Sequence, residues 1–495
     1  MKKARLSIPL LCYLSFSLIV IIAYLFYRPS WGVVDDWQHL ERVNGIWNSP
    51  NILQSILEYI RAEFFCEKIR PLHCIYSLVV YRFFNNAPYL VYILIFIIQI
   101  SVLPLWGLIF HRMFAREPKA SQETIFLFPL SFFLFTPFWN NFMYISLQEK
   151  MVFIFGSLAV YFFTIAFNEN KLRSAFISLG FALLCIFSKP TGIYIFLAFS
   201  GCLLLYCLIY RKKIIYQVVF LFVCMAVLAG YYLLVKSLVR PGGYSSKYMD
   251  NFNIIAVLGQ LKVASIAIKC LLASAVVFLA AYLVLIKRKY FNFSSVIIPV
   301  AFICYFIVLL PWGTISYQMG PVTPFALGMF FPVYTFAKQK LKIFKLNYLP
   351  GAVIVLLTFI VLTQVIIPRI NKMAEIKDVE AEIIKLKSSG NNVKFYFPPY
   401  YSETCFALGK FTDTEIVYLS EPILEFKMLS KGDNFLIYRD ESSNIRLKNV
   451  KILKTVFENK TWKIFLVGES ANSQMLDVKF PKTILQRVIK VFSRS

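Results

Sequence analysis

The sequence predicts an α-helical polytopic membrane protein of about eleven spans, followed by a small α/β domain outside the membrane. Three observations lead to this fold class. Hydrophobic residues make up 59% of the 495 residues, and the mean hydropathy of +0.66 exceeds that of soluble domains. Lys and Arg fall in short groups between long apolar stretches. After residue 367 the chain turns polar and contains short strand-like runs.

A helical span needs about 20 predominantly apolar residues. We place spans near residues 7–27, 88–110, 125–139, 150–167, 174–188, 192–210, 214–235, 265–286, 293–311, 321–337 and 347–367. The first is too long for a signal peptide and lacks a small-residue cleavage site, so we expect it to remain as an anchor.

The basic groups give the orientation, because each of them follows an even number of predicted spans. They lie at residues 2–5, 112–119, 171–173, 211–213, 287–289 and 338–345. Positively charged loops stay on the cytoplasmic side. The pattern therefore predicts a multi-pass protein of the cytoplasmic (inner) membrane, with a cytoplasmic N-terminus and a periplasmic or extracellular C-terminal domain. The net charge of +26 then reflects topology and does not indicate a nucleic-acid partner.

Two domains follow from this pattern. Residues 1–367 form the predicted transmembrane catalytic domain, in which residues 28–87 are a long outer loop with two amphipathic surface helices. The second of these helices is expected to begin at Ser49-Pro50. Residues 368–495 form the predicted soluble extracytoplasmic α/β domain, with a helix over 370–386. Its strands are expected at residues 393–397, 415–419, 435–438, 450–456 and 462–467.

Two adjacent carboxylates, Asp35 and Asp36, follow the first span at the depth where the bilayer becomes polar. Trp31 and Trp37 flank them, as aromatic residues do at membrane interfaces. A charge at this depth costs free energy unless it has a function or a partner. We therefore interpret Asp35 or Asp36 as a catalytic base on the non-cytoplasmic side. Asp36 also fits the N-cap of an amphipathic helix, but capping alone leaves Asp35 unexplained.

The location of this site restricts the chemistry, because nucleotide sugars are absent outside the cytoplasmic membrane. A transferase there needs a donor that the bilayer carries, such as a polyprenyl-phosphate sugar. The phosphate is a good leaving group, so one carboxylate base for the acceptor hydroxyl is sufficient. Cations are needed to stabilise the departing phosphate. A glycosidase would need two separated carboxyl groups instead.

An acidic pair directly after the first span, two surface helices, many spans and an outer C-terminal domain resemble the GT-C superfamily of membrane glycosyltransferases. The length, short N-terminus and outer tail are similar to those of bacterial O-antigen-modifying (serotype-converting) glucosyltransferases. The resemblance covers the whole chain in architecture, and its motif is Asp35-Asp36. It implies transfer of a sugar, with glucose as the expected sugar, from a polyprenyl-phosphate carrier to a cell-surface glycan such as O-antigen. The implied partners are that lipid-linked sugar, a glycan or lipid-linked glycan acceptor and the lipid bilayer.

The resemblance also implies residue roles. One of Asp35 and Asp36 is the base, and the other orients it or the acceptor. Residues expected to face the donor phosphate are Arg70, Arg82 and Lys189, and those expected to contact sugar or acceptor are His39, Gln148, Glu149, Tyr317 and Gln318. No cofactor and no metal site are implied, although a divalent metal is not excluded for the superfamily. Separately, Cys66 and Cys74 are able to form a disulfide if their loop is periplasmic.

Plainer interpretations of these residues stay open. Lys189 can simply snorkel to the interface, and Arg70 and Arg82 can form surface ion pairs. His39 and His73 can be ordinary polar surface residues. Glu149 beside Lys150 can be a surface pair.

Three other functions also remain open. A transporter or flippase would place charges near the centres of its spans, where this chain has few. An O-antigen polymerase or ligase for lipid-linked saccharides would carry a large outer loop in mid-chain. A membrane scaffold whose outer domain binds a partner explains the tail but not the acidic pair.

Overall fold

The structure is a computed structural model. It describes residues 7–29, 36–65, 70–84, 87–114, 120–135, 138–139, 149–169, 171–189, 323–328, 330–389, 393–397, 405, 408–409, 412–419, 421, 423–439, 445–459, 462–471 and 474–476, with isolated positions at 219, 223, 226–227, 230, 276 and 321. Contacts between Cα atoms divide the chain into two compact units. The first comprises Met1–Phe26 and His39–Pro368, and the second comprises Tyr27–Gln38 and Arg369–Ser495.

Up to residue 389, the regular elements that the structure describes are all helices. The helices are α1 (Ile8–Tyr27), α2 (Asp36–Trp47), α3 (Ile52–Phe65), α4 (Pro71–Phe83), α5 (Pro88–Phe114), α6 (Gln122–Phe126), a 3₁₀ segment (Phe128–Leu134), α7 (Glu149–Glu169), α8 (Leu172–Ser188), α9 (Thr323–Gly328), α10 (Phe331–Lys342), α11 (Leu349–Val361), a π segment (Leu362–Ile366) and α12 (Ile367–Ser389).

Within the described ranges, four helices are long and apolar enough to cross a membrane. They are Ile8–Tyr27, Pro88–Met113, Glu149–Ala166 and the continuous helix Leu349–Ser389. The last has 41 residues, so its length of roughly 60 Å is twice the thickness of a hydrocarbon core. Only its part before Pro368 is continuously apolar, and the charged remainder extends beyond a span.

Two predicted spans are not single helices. The third, over 125–139, is instead the short helix α6 and a 3₁₀ segment, because Pro129 in the first turn of that segment cannot continue the α-helical hydrogen bonds. The tenth, over 321–337, is divided between α9 and α10, with Pro332 at the start of α10. The predicted spans at 192–210, 214–235, 265–286 and 293–311 lie outside the described residues, so the total of eleven stays a prediction.

The long first loop contains α2 and α3, as predicted, and also a third helix, α4. The start of α3 differs from the prediction at Ser49-Pro50. Asn51 caps it instead, since its Oδ1 accepts the Gln54 N–H at 3.2 Å and its Nδ2 donates to Gln54 Oε1. On α3 the side chains of Leu53 and Leu57 are 69% and 59% exposed. This is the amphipathic character that the sequence predicts.

Aromatic and small residues pack the helices of the first unit. Tyr24 of α1 stacks on Tyr92 of α5 with ring centroids 5.6 Å apart. Trp106 Nε1 of α5 donates to Ser157 Oγ of α7 at 2.8 Å. Gly107 permits the close approach of α6, because a Cβ at this position would lie 2.3 Å from the carbonyl oxygen of Thr124.

Helices α7 and α8 form an antiparallel hairpin, because two residues connect them. Ser178 Oγ donates to the carbonyl oxygen of Ala159 at 2.7 Å, and Cys185 Sγ donates to that of Val152 at 3.7 Å. The hairpin therefore brings the first residues of α7 next to the last residues of α8.

Basic residues from separate predicted cytoplasmic groups meet at the other end of α7. Arg112 Nη1 and Lys171 Nζ both pair with Glu169, at 3.0 and 2.6 Å. The 21 residues of α7 correspond to about 31 Å, close to the thickness of a hydrocarbon core. The two ends of α7 are therefore a bilayer apart. Which end faces the cytoplasm stays a prediction.

The described residues of the second unit form two β-sheets. The strands are β1 (Lys394–Phe397), β2 (Ile416–Tyr418), β3 (Ile423–Glu425), β4 (Asn434–Arg439), β5 (Ile445–Lys448), β6 (Val450–Glu458), β7 (Trp462–Glu469) and β8 (Gln474–Leu476). The larger sheet has the order β2-β1-β4-β7-β6, and the smaller has the order β3-β5-β8. In the larger sheet β1 is parallel to β2 and β4, whereas β7 is antiparallel to β4 and β6.

Both faces of the larger sheet are covered. Phe395 and Phe397 of β1 pack into a core with Ile376, Val379 and Ile383 of α12. Tyr396 points to the opposite face, where it joins a core with residues of the smaller sheet, Leu424, Ile445 and Leu447. Alternate side chains of a strand point to opposite faces, so this three-layer packing follows from the run Phe-Tyr-Phe.

The larger sheet ends in β6, whose pairing with β7 is irregular. The register shifts between Ile452 and Lys454 and again between Thr455 and Phe457. At the other edge β2 has only three residues. The five strands expected from sequence are confirmed as elements, and β3, β5 and β8 are additional. The extracytoplasmic position of this unit stays a prediction.

Candidate functional site

Helix α4 turns a polar face inward and an apolar face outward. His73, Ser77 and Tyr81 follow at intervals of four residues, and each is at most 1% exposed. Ile75, Val79 and Phe83 on the other side are 52%, 45% and 74% exposed. This arrangement is the reverse of that in a soluble protein, and it suits a helix that packs polar groups against its neighbours and faces lipid with its apolar residues.

His73 lies at the centre of a row of aromatic rings. The His39 ring of α2 meets it edge to face at a centroid distance of 5.1 Å, and His39 stacks on Tyr81 at 5.9 Å. On the other side His73 stacks on Tyr76 at 6.1 Å. The Lys150 ammonium of α7 lies 5.4 Å from the centroid of the Tyr76 ring. Helices α2, α4 and α7 therefore converge at this point.

An ion pair at the open end of the α7–α8 hairpin borders the same region. Lys189, directly after α8, pairs with Glu149, the first residue of α7. Glu149 and Lys150 are each 1% exposed, and Lys189 is 9% exposed. Burial of three charged side chains is expensive unless they pair or bind a ligand. Glu149 also suits the first turn of a helix, where the macrodipole favours negative charge.

These contacts define a set of residues that we name the cationic cluster: His39, Arg70, His73, Glu149, Lys150 and Lys189. Burial lowers the pKa of His73 well below its usual value, and the nearby His39, Arg70, Lys150 and Lys189 lower it further. His73 is therefore neutral at physiological pH. Among the described residues of the cluster, Arg70, Lys150 and Lys189 are the other cationic side chains and Glu149 is the carboxylate.

Several polar atoms of this region lack hydrogen-bond partners among the residues that the structure describes. They are both ring nitrogens of His73, Ser77 Oγ and Glu149 Oε2, all of them buried. Buried polar groups are nearly always hydrogen bonded in native proteins. A donor from a His73 ring nitrogen or from Ser77 Oγ, beside cationic side chains, suits an oxygen of an anionic ligand such as a phosphate ester.

The structure brings together four of the residues predicted for the site. His39, Arg70, Glu149 and Lys189 all belong to the cationic cluster. Arg82 lies apart: it is 12 residues from Arg70, or about 18 Å along α4, and its guanidinium lies 5.8 Å from the centroid of the Trp47 ring. The roles assigned to all of these residues stay predictions.

Other predicted site residues are described in part or not at all. Helix α2 begins at Asp36, one turn before His39, and the Asp36 side chain is outside the described part of the chain. Asp35, Gln148, Tyr317, Gln318 and Cys66 are also outside it. Cys74 is buried on α4, so its pairing with Cys66 stays a prediction. Among the described residues, no three His, Cys, Asp or Glu side chains are grouped so that they could hold a metal ion.

The plainer interpretation of His73 and Lys150 as surface residues is wrong, because both side chains are buried. For His73 the sequence does contain a signal. His73 and Ser77 are four residues apart and therefore lie on one face of an otherwise apolar helix. Lys150 gives no such signal, because its burial depends on the packing of α7 against α4.

No family model matches this sequence, and no curated protein matches it. Among solved structures, one similar chain is that of ArnT from Cupriavidus metallidurans bound to undecaprenyl phosphate. The TM-score is 0.45 and the identity is 11%, over 92% of this chain and 97% of that chain.

Proposed function

We propose that the protein is an inverting glycosyltransferase of the GT-C type. It moves a sugar from a polyprenyl-phosphate carrier to a cell-surface glycan on the outer face of the cytoplasmic membrane. The observation that carries the proposal is the cationic cluster, which lies at the end of α7 opposite the pairs of Glu169 with Arg112 and Lys171. If the basic groups are cytoplasmic, the cluster lies near the outer leaflet.

The charge of the cluster suits the proposed leaving group. A polyprenyl-phosphate sugar is a phosphodiester with one negative charge, and the departing polyprenyl phosphate is a monoester that gains a second. Arg70, Lys150 and Lys189 supply three cations beside the proposed phosphate position. Preorganised cations of this kind stabilise the charge that develops in the transition state.

The reaction then needs one base. In the proposed step, Asp35 or Asp36 takes the proton of the acceptor hydroxyl, whose oxygen attacks the anomeric carbon. A new glycosidic C–O bond forms with inversion as the C–O bond to the phosphate breaks. The electron pair of that bond leaves with the polyprenyl phosphate. Asp36 is the first residue of α2, the helix that carries His39 one turn later.

The finer assignments come from the resemblance to O-antigen-modifying enzymes. We propose glucose as the sugar and O-antigen or a lipid-linked glycan as the acceptor. In the proposed site Lys189 and Arg70 bind the donor phosphate, and His39 and Glu149 position the sugar or the acceptor. No step of the proposed reaction uses a metal ion.

A transfer assay tests this function. Membranes that contain the protein are given a synthetic polyprenyl-phosphate sugar and a glycan acceptor, and the sugar transferred to the glycan is measured. We expect Asp35→Asn or Asp36→Asn to abolish transfer while the protein still inserts. Asp413→Asn, at a fully exposed carboxylate of the second unit, is the matched control. Full transfer by both single variants would remove the base assignment.

The same assay separates the alternatives. Movement of the donor between leaflets without transfer would favour a flippase. Elongation of a lipid-linked saccharide by its own repeat units would favour a polymerase. Loss of transfer in EDTA that Mg²⁺ restores would show a metal requirement.

A further inference from the structure

The connection between α10 and α11 exposes a group of large apolar side chains. Ile343, Phe344, Leu346 and Tyr348 are 73%, 71%, 51% and 68% exposed. Lys340, Lys342 and Lys345 alternate with them and are exposed as well. We name these seven residues the basic turn. Such an exposed apolar patch on a protein marks contact with a partner or a membrane.

The positive charge of the basic turn has no local compensation in the sequence. Residues 321–374 contain no Asp or Glu. Lys338, one turn earlier on α10, is directed elsewhere: it pairs with the buried Glu123 and donates to Ser121 Oγ at 3.2 Å. The three lysines beyond it therefore carry a surplus of positive charge into the exposed turn.

The start of α10 fixes the turn to the helices of the first unit. Phe331 packs on Phe128 with ring centroids 5.1 Å apart and on Phe110 at 5.7 Å. Phe110 lies two residues before Arg112, at the end of α5 where the charged pairs with Glu169 form. The apolar stretch of α11 begins at Leu349, directly after the turn. The turn thus lies where a span enters the bilayer.

We propose that the basic turn binds the headgroups of anionic phospholipids in the leaflet that α11 enters first. The apolar and aromatic side chains insert at the level of the acyl-chain boundary, as they do in interfacial anchors. The ammonium groups of the lysines bind the lipid phosphates, which attract juxtamembrane basic residues. This site is independent of the proposed glycosyl transfer, because it lies at the opposite end of the unit from the cationic cluster.

The mixed character of the turn favours a lipid over a soluble anion. A phosphate ion in water needs cations but no exposed Phe344 or Tyr348 beside them. A phospholipid presents a negative headgroup and an apolar body within a few ångströms of each other, and the turn presents the complementary pair of surfaces. Its position directly before a span puts both surfaces at that depth.

Native mass spectrometry of the full-length protein in mild detergent tests the proposal. Phosphatidylglycerol and phosphatidylcholine are added at equal concentrations, and the retained lipids are counted. We expect the parent protein to retain phosphatidylglycerol preferentially. The triple variant Lys340→Gln/Lys342→Gln/Lys345→Gln should lose this preference, with phosphatidylglycerol binding weakened about fivefold for each lysine removed.

The matched control is Lys431→Gln/Lys451→Gln/Lys454→Gln, which removes the same charge from exposed lysines of the second unit. It should retain phosphatidylglycerol like the parent. Phe344→Ser tests the apolar contribution and should weaken retention of both lipids while monodispersity is unchanged.

Unchanged phosphatidylglycerol binding by the triple variant, or an equal loss in the control, would overturn the proposal. Complete displacement of the lipid by inorganic phosphate would overturn it too, since the apolar contacts would then contribute nothing.

Discussion

Lys189 and Glu149 form a buried ion pair across the open end of the α7–α8 hairpin, although 40 positions separate them in the chain. The pair is possible because the two helices run antiparallel with a two-residue connection. It fixes one of the three cations of the cationic cluster and supplies its one carboxylate. Both the stability of the hairpin and the charge of the proposed phosphate site therefore depend on this pair.

We expect Glu149→Gln to destabilise the protein by about 3–5 kcal/mol, because it leaves Lys189 buried without its counter-charge. The double variant Glu149→Gln/Lys189→Met should regain part of this loss, since the ammonium that Glu149 pairs with is removed together with the carboxylate. Thermal unfolding in detergent measures both. Glu169→Gln is the control, because that ion pair is largely exposed and should matter little. Equal destabilisation by Glu149→Gln and Glu169→Gln would contradict the burial argument.

His73 makes stability depend on pH. Burial and the nearby cations lower its pKa in the folded state, so below pH 6.5 the unfolded chain binds a proton that the folded protein does not. We expect the unfolding temperature to fall as the pH decreases from about 6.5. His73→Gln should reduce this fall, because Gln cannot titrate. The unfolding temperatures of parent and variant are measured at pH 7.5 and 5.5. An equal decrease in both proteins would exclude His73 as the cause.

Substitution by alanine at two helical glycines of the first unit should change the free energy of unfolding in opposite directions. Gly107→Ala places a Cβ 2.3 Å from the Thr124 carbonyl oxygen, a backbone atom, so helix α6 has to shift. We expect a loss of roughly 1–3 kcal/mol, as for other overpacked sites. At Gly180 of α8 a Cβ meets nothing within 4 Å, and alanine should stabilise the helix by up to about 1 kcal/mol. Unfolding in detergent measures the stability of both variants. Equal changes in stability would contradict the close approach of α5 and α6.

Glu380 gives the second unit a pH dependence of the opposite sign. It lies on the charged part of α12, and burial raises its pKa to about 7, although the nearby Lys377 opposes this shift. The folded state therefore holds a proton that the unfolded state releases above about pH 4.5. This contribution to stability is present at low pH and is lost as the pH rises to about 7.

Hydrogen exchange measures this pH dependence of stability. Peptides that cover β1 and β4 are followed between pH 5 and 8, and the rates are corrected for the intrinsic exchange rate. Protection in the parent should decrease as the pH rises, and Glu380→Gln should remove much of the decrease. A variant with the slope of the parent would show that another group is responsible.

The sequence predicts much of the secondary structure, because period-two alternation and long apolar runs are local signals. The helix of residues 370–386 and five strands of the second unit follow from them. The short strands β3, β5 and β8 do not, since three or four residues carry no period. The third predicted span fails for a related reason: hydropathy does not show how Pro129 shortens a helix.

Less of the candidate site than of the secondary structure could be predicted from the sequence. His39, Arg70, Glu149 and Lys189 stand out as polar residues at the ends of apolar stretches. Their assembly with His73 and Lys150 depends on the packing of α4 against the hairpin, and no local pattern encodes that packing. Arg82 has the right charge, but its guanidinium lies over the Trp47 ring, and its predicted role stays a prediction.

The irregular pairing of β6 has a consequence for how the protein behaves when it is crowded in a membrane. A long, regular outer strand offers its main-chain amides to the corresponding strand of another molecule and can seed aggregation. Here two register shifts twist that strand, and Lys451 and Lys454 place like charges along it. The shifts and the like charges therefore disfavour edge-to-edge pairing between the sheets of two copies.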